Sequence, residues 1–398
     1  MTSYIGKYSV LASLLLAGCA QVGPQQYAAQ ALTPADQAYV SSQPEYLRAD
    51  YTRLFEEGGR NQVLNLMIIG KKAFATGDFP SAARAFDQAI AAIESVYANS
   101  DSAAKARSLW YEEGSKDFKG EPYERSMVYY YRGLTYLAQG QPDNARASFL
   151  NAIMQDAFAE EQQNRSDMGS QLLLIGWTSM MMGRADLADQ AFLELEQLQP
   201  DFVRPTPADT TLIIAEAGYA PRKLADGVGH HQLIYRRGKN QRITAVEFDK
   251  AGQLPVPMTL REDIFWQASS RGGRPVDRII EGQYVFKSTT QAAGAALSDV
   301  GRTALYLSPA FGQSTANLGA GISLLGVGVM AISAQTKVRA DTRYWPTLPD
   351  KLYINAKALP ENADIDLVYR LKEGGQLTQD PNFIISTKGY RVIWSQGE

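Results

Sequence analysis

One pattern recurs three times in this chain and constrains its fold more than any other feature. From Gly70, the residues at +7, +12 and +16 are Gly77, Ala82 and Phe86; from Gly133 they are Gly140, Ala145 and Phe149; from Gly176 they are Gly183, Ala188 and Phe192. At this composition chance gives roughly 0.01 such matches. The spacing predicts three helical hairpins. The first glycine lets two helices approach closely, and the second ends the first helix where a left-handed residue is wanted. The alanine keeps the gap between the helices narrow, and the phenylalanine fills the space toward the next hairpin. An amphipathic helix over Glu45–Glu57, carrying Tyr51, Leu54 and Phe55, is expected to cap the array.

The pattern resembles the tetratricopeptide repeat. Phe79 after Gly77-Asp78, Tyr136 three residues after Gly133, Ala89 and Ala152 at +19, and Pro200 closing the third unit extend the resemblance. Ala73 and Ser179 stand where that family has an aromatic residue, and Leu195 where it has alanine, which is expected to widen the packing gap of the third unit. The units start 63 and then 43 residues apart, so the resemblance implies a short, interrupted solenoid.

The chain has a single cysteine, so it cannot build an intramolecular disulfide framework. That residue follows Lys7, an apolar stretch at Val10–Ala17 too short to span a bilayer, and Leu16-Ala17-Gly18. The segment Leu16-Ala17-Gly18-Cys19 resembles the lipobox of bacterial lipoproteins. The resemblance implies cleavage before Cys19, recognition of Leu16, Ala17 and Gly18 by the signal peptidase, and a covalent lipid on the Cys19 thiol as the chain's only prosthetic group. Several acyl chains on one residue give stable anchoring where one is marginal. Ala20 replaces the Asp that commonly retains such lipoproteins at the inner membrane, which implies the periplasmic face of the outer membrane. The expected organisation is a signal peptide over 1–18, a lipidated flexible tether over 19–44, a helical domain over 45–200, a linker over 201–225 and a β-rich domain over 226–398.

After Pro200 the period changes. Pro205, Pro207 and Pro221 punctuate the linker around a short apolar helix expected at Ala208–Ala217. Alternating runs predict strands at Gln232–Arg236, Ile243–Phe248, Val256–Leu260, Val276–Lys287, Leu352–Ala356, Ile365–Leu371, Phe383–Ser386 and Tyr390–Trp394. The last two flank Thr387-Lys388-Gly389 as a hairpin, and an Ala-rich helix is expected over Gln291–Leu307. No charged residue occurs from Thr303 to Thr336, where Leu318–Ala334 is apolar and glycine-rich. It reads first as a helix or hairpin packed on the sheet; a partner-docking helix, a segment entering membrane on oligomerisation and a transmembrane helix are alternatives. The fold class expected is α+β, an N-terminal helical solenoid followed by an antiparallel β-rich domain with this apolar insertion.

Phe118-Lys119-Gly120-Glu121-Pro122-Tyr123-Glu124-Arg125 leads into Tyr129-Tyr130-Tyr131. Pro122 suits a first helical turn, and Glu121 and Glu124 complement its positive end. The aromatic residues are either inter-helix packing or a partner groove formed by Phe118, Tyr123, Tyr129 and Tyr136. With the later Asp341–Pro349 stretch, this region resembles a family of TPR-bearing bacterial envelope lipoproteins, a resemblance that implies no chemistry.

A net charge of −3 offers no basic face for nucleic acid. The two histidines, His230 and His231, are adjacent, and Gly227-Val228-Gly229 is not followed by a dinucleotide fingerprint. Glu56-Glu57, Glu112-Glu113 and Glu160-Glu161 read as solvated faces. The expectation is a non-enzymatic outer-membrane lipoprotein with no metal. It would scaffold envelope proteins in assembly or secretion, anchored to membrane through lipid and able to self-associate. A structural subunit of an oligomeric export complex and a regulator of peptidoglycan enzymes are the alternatives.

Overall fold

A computed structural model describes residues 29–97, 117–157, 168–226, 232–239, 241–250, 254–269 and 341–397. The lipobox, His230-His231, Gly227–Gly229, Glu112-Glu113, Glu160-Glu161, the strand and helix expected between 276 and 307, and the apolar insertion lie outside these residues. The class is α+β.

Helices α1 (Pro34–Ser42), α2 (Glu45–Glu57), α3 (Gln62–Ala75), α4 (Phe79–Tyr97), α5 (Pro122–Ala138), α6 (Pro142–Ala157), α7 (Gly169–Met181) and α8 (Ala185–Leu198) come first. The described part of the expected tether is not free chain: Thr33 and Asp36 form a capping box that starts α1, and the backbone N–H of Gln30 donates to the Glu56 carbonyl at 2.9 Å. The capping box outweighs the Gln/Ser/Pro-rich composition because two backbone donors are satisfied at once.

The recurring residues sit where their physics requires. Gly77, Gly140 and Gly183 have φ of 77°, 70° and 69°, each between the two helices of a hairpin (α3/α4, α5/α6, α7/α8). A Cβ on Gly70, Gly133 or Gly176 would collide with the ring of Phe86, Phe149 or Phe192 across the same hairpin. Ala82, Ala145 and Ala188 are buried. Phe86 also reaches the next hairpin, stacking on Tyr131 at 5.9 Å. Leu195 does not simply widen the third unit. It packs on Gly169, where an added Cβ would lie 3.1 Å from the leucine, so a small residue on one helix absorbs the large one on the other.

The strands are β1 (Thr211–Ala217), β2 (Arg222–Asp226), β3 (Gln232–Arg236), β4 (Ile243–Lys250), β5 (Val256–Pro257), β6 (Leu260–Asp263), β7 (Lys351–Lys357), β8 (Ile365–Leu371), β9 (Gln376–Gln379), β10 (Phe383–Thr387) and β11 (Tyr390–Gly397), with a short helix α9 at Ile264–Ser269. They form a five-stranded sheet in the order β10-β11-β1-β7-β6, a four-stranded sheet β5-β4-β8-β9 and a two-stranded pair β2-β3. Lys388 and Gly389, at φ 51° and 80°, make the tight β10–β11 turn.

Two expectations are corrected here. Ala208–Ala217 is not a linker helix: Thr211–Ala217 is the central strand β1, buried along its whole length. A strand covered on both faces reads as a continuous apolar run rather than an alternation, and periodicity cannot separate that from a buried helix. The sheet is also not wholly antiparallel, since β1 pairs parallel with β11 and antiparallel with β7.

Alternation along the strands of the larger sheet shows a layered build. Leu212, Ile214, Leu352, Ile354, Val392 and Trp394 join the core of the helices. Their neighbours Ile213, Ala215, Tyr353 and Ile393 join Val246, Phe248, Leu367 and Tyr369 of the four-stranded sheet. The five-stranded sheet is thus sandwiched, and the boundary expected at 201–225 divides residues that share one core.

Candidate functional site

The first helix of each hairpin faces the five-stranded sheet and carries polar side chains into it. Lys71 of α3 places Nζ 2.5 Å from Oε2 of Glu216 on β1, both buried. Tyr131 of α5 donates to the same oxygen at 2.9 Å. The other oxygen, Oε1, accepts from Tyr130 at 3.3 Å and from Trp394 Nε1 of β11 at 3.0 Å. A carboxylate has about four acceptor sites, and here four donors occupy them. The lysine ammonium lies 4.5 Å from the Tyr131 ring centroid and 4.4 Å from that of Trp394, so its remaining surface meets aromatic faces. Burial, then the nearby Glu216 charge, pushes the Tyr130 and Tyr131 hydroxyls well above the ordinary tyrosine range, which keeps them protonated as donors. Around this centre Phe74 meets Trp394 and Phe383, each at 5.1 Å, and Phe383 stacks on Trp394 at 5.0 Å.

A second centre lies at the start of α5. Glu121 and Glu124 form a capping box with Pro122 in the first turn. Glu121 Oε1 is 2.5 Å from Lys223 Nζ of β2. Fully buried Glu124 accepts the backbone N–H of Glu121 at 2.7 Å and that of Trp345 at 2.6 Å. Arg343 grips Asp341 and donates to the Arg60 carbonyl at 2.9 Å and Asn61 Oδ1 at 2.7 Å. Its guanidinium sits 5.5 Å from the Phe118 ring. The Phe118–Tyr131 and Asp341–Pro349 stretches therefore bind each other. The third hairpin is joined as well: Glu262 of β6 accepts from Ser170 Oγ of α7 at 3.1 Å and from Gln267 at 2.9 Å.

Burial pushes Glu124 up to about 7 from an ordinary 4.5, against the lowering influence of Lys223 and the two backbone donors. Between those values the folded chain binds more protons than the unfolded one, so stability should fall as pH rises from about 4.5 to about 7 and level off above. Urea midpoints across that range for the native chain and Glu124→Gln test this: the variant should lose part of the slope, and parallel curves would refute the assignment. Burial alone would lower Lys223, but the Glu121 charge and three further acidic or phenolic neighbours outweigh it and hold the ammonium above the usual lysine range.

The expected partner groove is corrected by this geometry. Phe118, Tyr123 and Tyr129 are buried, and Tyr136 lies under the Arg132 guanidinium at 3.5 Å. Tyr129 donates to Glu94 at 3.2 Å, and Tyr123 meets Tyr235 of β3 at 6.3 Å. Phe118 and Tyr123 are met by the chain's return at 341–345 and by β3, while Tyr129 and Tyr136 pack against side chains of the helices themselves. Of the carboxylate pairs, Glu56-Glu57 closes α2, where Glu57 accepts from Asn61 and Asn65.

Lys71 and Glu216 were not singled out from sequence, although a signal exists. Each is a lone charge at a position whose neighbours on the same face are apolar, Met67 and Phe74 for Lys71, Leu212 and Ile214 for Glu216. Such a charge needs an opposite partner in the fold.

Chemically, a carboxylate that accepts from four donors and an ammonium beside two aromatic rings can join the two layers. Among the described residues no group of three or more His, Cys, Asp or Glu could hold a metal, and no helix is long and apolar enough to cross a membrane. Comparison with protein families, curated proteins and solved structures finds no match.

Proposed function

We propose that this chain is a non-enzymatic scaffold of the cell envelope, anchored by lipid on Cys19 and recruiting proteins through its outward surfaces. The helical part is read as a short tetratricopeptide-like solenoid whose concave side is filled by the chain's own sheet. The observation that carries this reading is the Lys71–Glu216 centre: the strongest buried charges are spent on each other and on tyrosine and tryptophan donors, fusing helices to sheet. Contact with other proteins then falls to the second helices of the hairpins, where Leu150 and Met154 lie one turn apart on α6 and Leu193 stands on α8, all exposed. Exposed apolar side chains on otherwise polar helices suit protein partners of the periplasm.

The anchor is tested by intact mass and fractionation of the expressed protein. The mature chain should begin at Cys19, carry two or three acyl chains and sediment with membranes, and Cys19→Ser should release it. An unmodified chain beginning at Met1, or a Cys19→Ser variant that stays as tightly membrane-bound, would refute the proposal.

A further inference from the structure

A cleft of about 630 Å³ lies at the amino-terminal end of the helical array, and none of its lining residues belongs to the buried charged centres. Several elements converge on it: Gln30 ahead of α1, Asp36 and Tyr39 of α1, Phe55 of α2, Gln62 of α3 and Gln88 of α4. The volume falls within the range of small-molecule sites.

Its chemistry is specific. Tyr39 packs edge-on against Phe55 at 5.7 Å and Tyr51 at 5.5 Å, which fixes its ring while leaving it 37 % exposed. Gln30 lies against Gly58, where an added Cβ would stand 3.0 Å from the amide nitrogen; the glycine allows this close approach. The amides of Gln30, Gln62 and Gln88 are uncommitted to hydrogen bonds with other described residues, and each offers both donors and an acceptor. Among the described residues no lysine, arginine or histidine lines the cleft. Its carboxylate, Asp36, is engaged by the backbone N–H and hydroxyl of Thr33 at 2.9 and 2.7 Å.

We infer that this cleft binds a neutral, polyhydroxylated ligand, a short glycan segment. Amide groups that donate and accept match hydroxyls that do the same, and a held aromatic ring matches the apolar C–H face of a sugar. The missing cations disfavour a phosphate or acidic sugar. The inference stands apart from the lipid-anchor reading, because none of its residues belongs to the lipobox.

Binding is measured by calorimetry on the full chain with four probes: neutral hexasaccharides of glucose and of N-acetylglucosamine, an anionic hexauronate, and a neutral hexapeptide. A neutral hexasaccharide should bind, and Gln62→Ala and Gln88→Ala, both at exposed positions, should each weaken it about tenfold while leaving the urea midpoint unchanged. Tyr39→Ala should abolish binding, and Tyr39→Phe should retain it. Failure of every neutral hexasaccharide to bind, tighter binding of the hexauronate or the peptide, or affinity unchanged in the glutamine variants would overturn the inference.

Discussion

Lys71→Met should lower the stability of the chain by about 3–5 kcal/mol, the cost of leaving a buried charge without its partner. The methionine keeps most of the lysine's volume, so packing against Tyr131 and Trp394 survives and the loss is electrostatic. Glu216 would remain buried with only neutral donors around it. Glu216→Leu should cost a similar amount, because it strands an ammonium that sits 2.5 Å from the present carboxylate and removes the acceptor of both tyrosines. The double variant should lose much less than the sum, since neither charge is then left alone, and the tyrosine and tryptophan donors account for what remains. Urea unfolding of the four chains measures the coupling. Additive losses would mean that the two residues do not interact as described.

Phe149→Ala should cost about 3–5 kcal/mol. The ring fills the gap left by the missing side chain of Gly133 and is fully buried. Gly133→Val alone should also destabilise, by about 1–3 kcal/mol, because its side chain would enter the space of that ring. Combined, the valine occupies part of the cavity left by Phe149→Ala, so the double variant should be more stable than Phe149→Ala alone. The same exchange at Gly70 and Phe86 should behave alike. If the double variant loses as much as the sum of the two, glycine and phenylalanine are not a size-matched pair.

Much of the fold could be read from the residues. Close helix contact needs a glycine opposite a ring, so the repeated spacing located three hairpins, and the helix expected at Glu45–Glu57 has those bounds in the structure. β-Branched and aromatic runs bounded by turn residues mark strands, and β3 and β8 have the expected limits. What escaped has physical causes. Thr211–Ala217 is covered on both faces, so it lacks the alternation that marks a strand. Gln376–Gln379 is a polar edge strand with no apolar face to announce it. The candidate site escaped for a different reason: Lys71 and Glu216 are 145 positions apart, and nothing local says which distant charge a buried one will meet. The tyrosines were noticed, but their direction depends on what fills the inner side of the hairpins. Sequence shows an aromatic face; only the fold shows that the chain covers that face itself.

Helices and sheet form one body through a shared core. Thermal unfolding of the full chain, followed by calorimetry together with far-ultraviolet dichroism and tryptophan fluorescence, tests it most directly. Trp177 reports on the helices, Trp394 on the sheet and Trp345 on the strap between them, and all three are buried. A single transition is expected, coincident by every probe, with equal calorimetric and van't Hoff enthalpies. Helical signal lost at one temperature and sheet signal at another would contradict it, and would restore the hairpins as a separate domain with an open inner face.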